Sequence, residues 1–184
     1  MQVKEKNRRE IEERLGKMGD YVKIDYLISC LKRDLDFDSK RFCLIKLSGL
    51  YESRKMFLEA GKMMQNAAPI SVTFNGKIDD FLKAAGLFVR AGNFDFADAS
   101  FEKAMSVGNE NQREEIKEKR VKLYKEQADF YLKNDKRSNA LAAYEKILLL
   151  NLKGEERKEI QKSLLGLYDK LGKIREFYSL KRIM

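Results

Sequence analysis

Three segments of the chain place the same residue types at the same spacing: AAGLFVRAGN (84–93), QADFYLKNDK (127–136) and LLGLYDKLGK (164–173). Phe88, Tyr131 and Tyr168 align. Four residues on, Gly92, Asp135 and Gly172 align at a turn position, and two beyond that stand Phe94, Arg137 and Ile174. Phe81 and Tyr124 match upstream; Ala97, Phe101 and Ala104 match Ala140, Tyr144 and Ile147 downstream. The offsets are 43 and then 37 residues. Self-similarity at such a period marks a chain of supersecondary units, each unable to bury its apolar face alone. Neighbouring units must stack to make one continuous core.

The residue types say what stacks. Ala85 and Ala128 on the first segment of each unit, with Ala97 and Ala140 on the second, let two helices approach closely. Phe88, Tyr131, Phe101 and Tyr144 fill the grooves beside them. Gly92 and Gly172 suit a helix end in the left-handed conformation. A single proline, Pro69, leaves the rest of the 184 residues free to be helical.

Periodicity and breakers predict about ten helices and an all-α fold. Ile11 and Leu15 mark a first helix ending near Gly19. Tyr21, Ile24, Leu27, Ile28 and Leu31 mark a second. Asp38 or Ser39 is the expected cap of a third, broken at Ser48-Gly49, and a further helix is expected over 51–66. AAPISVTFNG (67–76) reads as an ordered loop, with Val72, Thr73 and Phe74 extended and a turn at Asn75-Gly76. Helices then follow at 77–91, 94–107, 112–133, 138–151, 155–171 and 174–182. No low-complexity linker interrupts them, so residues 1–184 read as one helical-repeat domain. In it, 1–66 are divergent, 67–76 a loop and 77–184 the regular repeats.

The order Phe81, Ala85, Phe88, Gly92, Phe94, Ala97, Phe101, Ala104 resembles the tetratricopeptide repeat. Tyr124 to Ile147 is similar, with Asp135 for the turn glycine and Arg137 for the aromatic; Leu164 to Phe177 keeps the first helix. Helix pairs set around Gly19 and Gly49 fit poorly, because Ile24 and Arg54 stand where a small residue is expected. The resemblance implies antiparallel helix-turn-helix units in a right-handed α-solenoid. The long offsets are similar to those of SNAP-type adaptors and imply an extended 112–133 helix.

In that family the first helix of each pair lines a groove. Carried over by residue, the resemblance implies groove positions Leu82, Gly86, Val89 and Arg90; then Lys122, Lys125, Asp129, Leu132 and Lys133; then Lys162, Gly166, Asp169 and Lys170. Lysine predominates, so the implied partner is an acidic or helical segment of another protein. A solvated face with Lys/Glu pairs would carry the same residues. Lys125 fits one position of the family's carboxylate clamp for chaperone tails, but Asp129 stands where an Asn is expected and would repel the ligand.

Other classes are tested by what they require. The chain has no His, so neither a Ser-His-Asp nor a Cys-His arrangement can form within it, and no enzyme activity is expected. Neither GxxxxGK[ST] nor GxGxxG occurs. Asp34, Asp36 and Asp38 alternate like the start of a calcium loop, but Ser39 and Ile45 replace its glycine and bidentate glutamate. No metal or cofactor is expected. Cys30 and Cys43 read as reduced, buried thiols. The N-terminal MQVKEKNRREIEERL is charged, and no apolar run is long enough to span a bilayer, so a cytoplasmic protein without membrane insertion is expected. The net charge of +9 is concentrated late, with 19 basic and 12 acidic residues over 113–184. This keeps an RNA-binding alternative open, through KEKRVKLYKEQ (117–127) among others. The short last repeat leaves Ile174, Phe177, Tyr178 and Leu180 without a covering helix, so a homo-oligomer through the C-terminal helix is a third expectation.

Overall fold

The computed structural model describes residues 3–152 and 154–184; Met1 and Gln2 of the charged N-terminal segment lie outside it. The described residues form ten α-helices and one 3-10 turn, with no strand, so the fold is all-α. In order they are α1 (Arg8–Gly16), α2 (Asp20–Leu31), α3 (Phe37–Ser53), α4 (Phe57–Ala67), the 3-10 turn Ala68–Ile70, α5 (Phe74–Arg90), α6 (Phe94–Val107), α7 (Glu110–Lys133), α8 (Arg137–Leu148), α9 (Gly154–Lys170) and α10 (Ile174–Arg182). The chain divides into two compact units that part between Ile116 and Lys117, within α7.

Side chains start the helices where orphan N–H groups need acceptors. Asn7 accepts from the Glu10 N–H, Asp36 from Ser39, Thr73 from Gly76 and Asn93 from Phe96. Asn109 and Gln112 cap each other's backbone reciprocally. Asp36, rather than Asp38 or Ser39, is therefore the cap of α3. Thr73 moves the start of α5 to Phe74, so Asn75 and Gly76 lie in its first turn. The expected ten-residue loop shrinks to the 3-10 turn and Ser71–Thr73. The cap outweighs the extended preference of Val72 and Phe74.

One turn recurs four times. In the first unit, Gly92 has φ 73°, its N–H bonds to the Val89 carbonyl and the Asn93 N–H bonds to the Phe88 carbonyl. Lys55 does the same at φ 61°, with Lys55 to Glu52 and Met56 to Tyr51. In the second unit, Asp135 (φ 54°) and Gly172 (φ 67°) repeat it, with Lys136 donating to Tyr131 and Lys173 to Tyr168. This is the paired-bond helix stop around a left-handed residue. The aligned aromatic supplies the carbonyl each time.

The turn at Lys55 corrects the reading of the N-terminal half. Gly49 lies inside α3 and breaks nothing. With Lys55 in register with Gly92, Leu44, Ser48, Tyr51, Phe57, Ala60, Met64 and Ala67 fall on Phe81, Ala85, Phe88, Phe94, Ala97, Phe101 and Ala104 in turn, Tyr51 matching Phe88. Ser48, Ala60, Ala67, Ala85, Ala97 and Ala104 are all fully buried. The Ser48 hydroxyl donates to the Ala60 carbonyl, which satisfies the one polar atom in that row.

In the first unit α2 packs on α3, α3 on α4, α4 on α5 and α5 on α6. A cluster of Ile11, Leu15, Ile24, Tyr26, Leu27, Cys30, Phe42, Cys43 and Leu47 seals α1 and α2 onto α3. In the second unit α8 packs on α9 and α9 on α10, around Tyr124, Ala128, Ala140, Ile147, Ile160 and Leu164. Leu180 of α10 is buried, while Ile174, Tyr178 and Ile183 are exposed. No helix among the described residues is long and apolar enough to cross a membrane.

Candidate functional site

The groove positions expected from the repeat divide by burial. Leu82 and Val89 of α5 lie in the core and are not presented to a partner. Arg90 is exposed but engaged: its guanidinium donates to Glu52 of α3 at 2.6 Å and lies 4.0 Å from the Phe57 ring centroid. In the second unit Lys122, Leu132, Lys133, Lys162, Gly166, Asp169 and Lys170 are exposed. Lys125 pairs with Glu156 at 2.9 Å and Glu159 at 3.7 Å. Asp129 accepts a hydrogen bond from the Tyr144 hydroxyl at 3.1 Å.

Lys125 and Lys162 do share a hollow, of about 460 Å³, but Lys158, Glu155, Glu156 and Glu159 complete its lining. Three carboxylates balance three ammonium groups, and Lys158 is bonded to Glu155 at 2.9 Å. The lysines of α7 are legible in the sequence as a basic stripe. The glutamates that answer them arrive from the start of α9, about 30 residues on, and neutralise the hollow.

A second hollow, of about 550 Å³, lies in the first unit and was not anticipated from the sequence. Buried Leu15 of α1 and Leu27 of α2 reach its floor, and half-buried Ile45 and Leu50 of α3 form its walls. Gly16 and Gly49 open it further: a Cβ built on either would meet no atom within 4 Å. Four ionisable side chains line it: Glu12, Lys23, Lys46 and Lys83. Lys23 is bonded to Asp20 at 2.7 Å, and that bond and charge hold the Asp20 carboxyl below its ordinary range. Lys46 stands 5.3 Å from the Phe42 ring centroid. Among the described residues neither Lys46 nor Lys83 has a carboxylate partner. The one signal for this hollow in the sequence is Gly49 inside an otherwise strong helix, where glycine costs about 1 kcal/mol against alanine.

The nearby thiols carry little reactivity. Cys30 and Cys43 are free and fully buried. Burial, with the neighbouring Cys30, pushes the Cys43 thiol up to about 12, and burial also raises Cys30. Neither supplies a thiolate near neutral pH. No group of three or more Cys, Asp or Glu side chains among the described residues is placed to hold a metal ion.

No family model matches the chain, and no curated protein matches it. Among solved structures, BtubC (BKLC) from P. vanneervenii aligns over 94% of this chain and 72% of its own, at 16% identity and a TM-score of 0.37. So loose a superposition leaves the functional reading to the residues themselves.

Proposed function

We propose that the chain is a non-enzymatic interaction module, built from helix pairs of the tetratricopeptide kind, that binds a segment of a partner protein in the hollow among α1, α2, α3 and α5. The observation that carries the reading is the pairing of an apolar hollow, walled by half-buried Ile45 and Leu50, with two lysines, Lys46 and Lys83, that have no carboxylate partner among the described residues. Partner sites combine a buried apolar centre with a few placed polar groups, and this hollow has both. The recurring left-handed turns and the buried small residues support the repeat part of the proposal.

The test uses the full chain as bait at low salt, with and without nuclease, beside its Gly49→Leu variant. Leucine is a good helix former and its side chain would enter the hollow. A protein retained after nuclease treatment by the parent chain, and lost with Gly49→Leu, is the expected result. A partner held equally by both forms would place binding elsewhere.

The excess of basic residues over 113–184 supports a second reading, RNA binding by the basic C-terminal half. In the same experiment it requires RNA on the beads at low salt, released steeply as salt rises.

A further inference from the structure

The hollow of the first unit has a charge pattern that selects among partner segments. Its floor and walls are aliphatic, from Leu15, Leu27, Ile45 and Leu50. Of its three lysines, Lys23 is already neutralised by Asp20, while Lys46 and Lys83 are not. Glu12 is the single lining carboxylate and is exposed. The arrangement is asymmetric toward anions. A basic segment would bring a third uncompensated cation against Lys46 and Lys83. A purely aliphatic one would strip water from two ammonium groups and return no partner. Gly16 and Gly49 remove two side chains from the lining, so an incoming chain can approach the backbones of α1 and α3.

We infer that this hollow recognises a short acidic–aliphatic peptide segment: an aliphatic side chain seated between half-buried Ile45 and Leu50, with an adjacent carboxylate held by Lys46 and Lys83. The inference rests on the proposed reading of the hollow as a binding surface and names the chemistry of its ligand. The apolar walls give the segment its anchor, and the two lysines fix its direction and exclude basic competitors.

A displayed library of random heptapeptides, selected on the immobilised full chain, tests both statements. Selected peptides are then titrated by fluorescence polarisation against the parent chain, Lys46→Glu/Lys83→Glu, Lys46→Gln/Lys83→Gln and Gly49→Leu. Melting curves verify that each variant is folded. The expected consensus places Asp or Glu beside Leu, Ile or Val. Affinity should fall about tenfold or more in the Glu pair, less in the Gln pair, and be abolished by Gly49→Leu; tenfold corresponds to about 1.4 kcal/mol. Peptides without acidic enrichment, indifferent to the charge variants but still lost with Gly49→Leu, would overturn the ligand chemistry and leave the binding surface standing. Peptides indifferent to Gly49→Leu, or no selection above background, would overturn both.

Discussion

A Cβ on Gly61 of α4 would stand 2.6 Å from Cε1 of Phe88 on α5, closer than side-chain carbons approach. Phe88 is fully buried and cannot swing away. The glycine is thus the socket for the aromatic that the repeat places at the end of each first helix. Gly61→Ala should destabilise the protein. Overpacking costs about 1–3 kcal/mol, offset by about 1 kcal/mol of helix propensity. Phe88→Leu in the Gly61→Ala background should recover part of that loss. Urea midpoints for the four forms give the coupling; additive effects would show that the two residues do not meet.

The four left-handed turns differ in residue but not in conformation. Lys55 and Asp135 carry a Cβ at positive φ, where an L-residue other than glycine is strained by about 1–2 kcal/mol. Lys55→Gly and Asp135→Gly should each raise stability by relieving that strain, by no more than about 1 kcal/mol because the greater entropy of glycine in the unfolded chain offsets part of the gain. Gly92→Ala and Gly172→Ala should each lower it by a similar amount. Equilibrium denaturation reads both signs. Stabilisation by Gly92→Ala would contradict the turn geometry.

Those turns also explain which parts of the fold are legible in the sequence. Gly92 and Gly172 announce themselves, and the aromatic and small residues around them follow. Lys55 occupies the same conformation without glycine, so the matching pair α3–α4 is concealed, and Gly49 draws the register away from it. Thr73 hides the start of α5 in the same manner, behind residues of extended preference. The candidate site is harder still to read. Lys125 and Lys46 look alike in the sequence, as lysines among helical residues. Only folding reveals that Glu156 and Glu159 neutralise the first, while the second lines an apolar hollow and is paired with no carboxylate among the described residues. Charge in a groove depends on pairs remote in sequence, whereas helix ends depend on neighbours.

Tyr144 and Tyr168 should make the protein sensitive to alkali. The Tyr144 hydroxyl donates to Asp129 at 3.1 Å, and that of Tyr168 to Glu145 at 3.0 Å. Burial first, then the neighbouring carboxylate, pushes each phenol up to about 12. An unfolded tyrosine ionises near 10. The folded state therefore holds protons that the unfolded chain has released. This stabilisation is full below pH 10 and is lost as pH rises through about 12. Phenolate absorbance should show a late component that Tyr144→Phe and Tyr168→Phe each reduce. Denaturant midpoints should fall between pH 10 and 12, and less steeply in the double variant. A single transition near 10, unchanged by these substitutions, would contradict the two hydrogen bonds.

Two ion pairs tie α3 to α5, and they should differ in worth. Arg41 donates to Asp80 at 2.6 Å near the start of both helices; Arg90 donates to Glu52 at 2.6 Å near their ends. Asp80 is buried, and the Arg41 Nε is buried without a hydrogen-bond partner, so Asp80 supplies the acceptor that this guanidinium has. Asp80→Ala strands a partly buried cation and should cost about 1–3 kcal/mol. Glu52→Ala releases a more exposed arginine that keeps its contact with Phe57, and should cost less than about 1 kcal/mol. High salt should erase most of the Glu52 effect and little of the Asp80 effect, because screening acts through solvent. Equal losses of stability, equally removed by salt, would show that burial does not separate the two pairs.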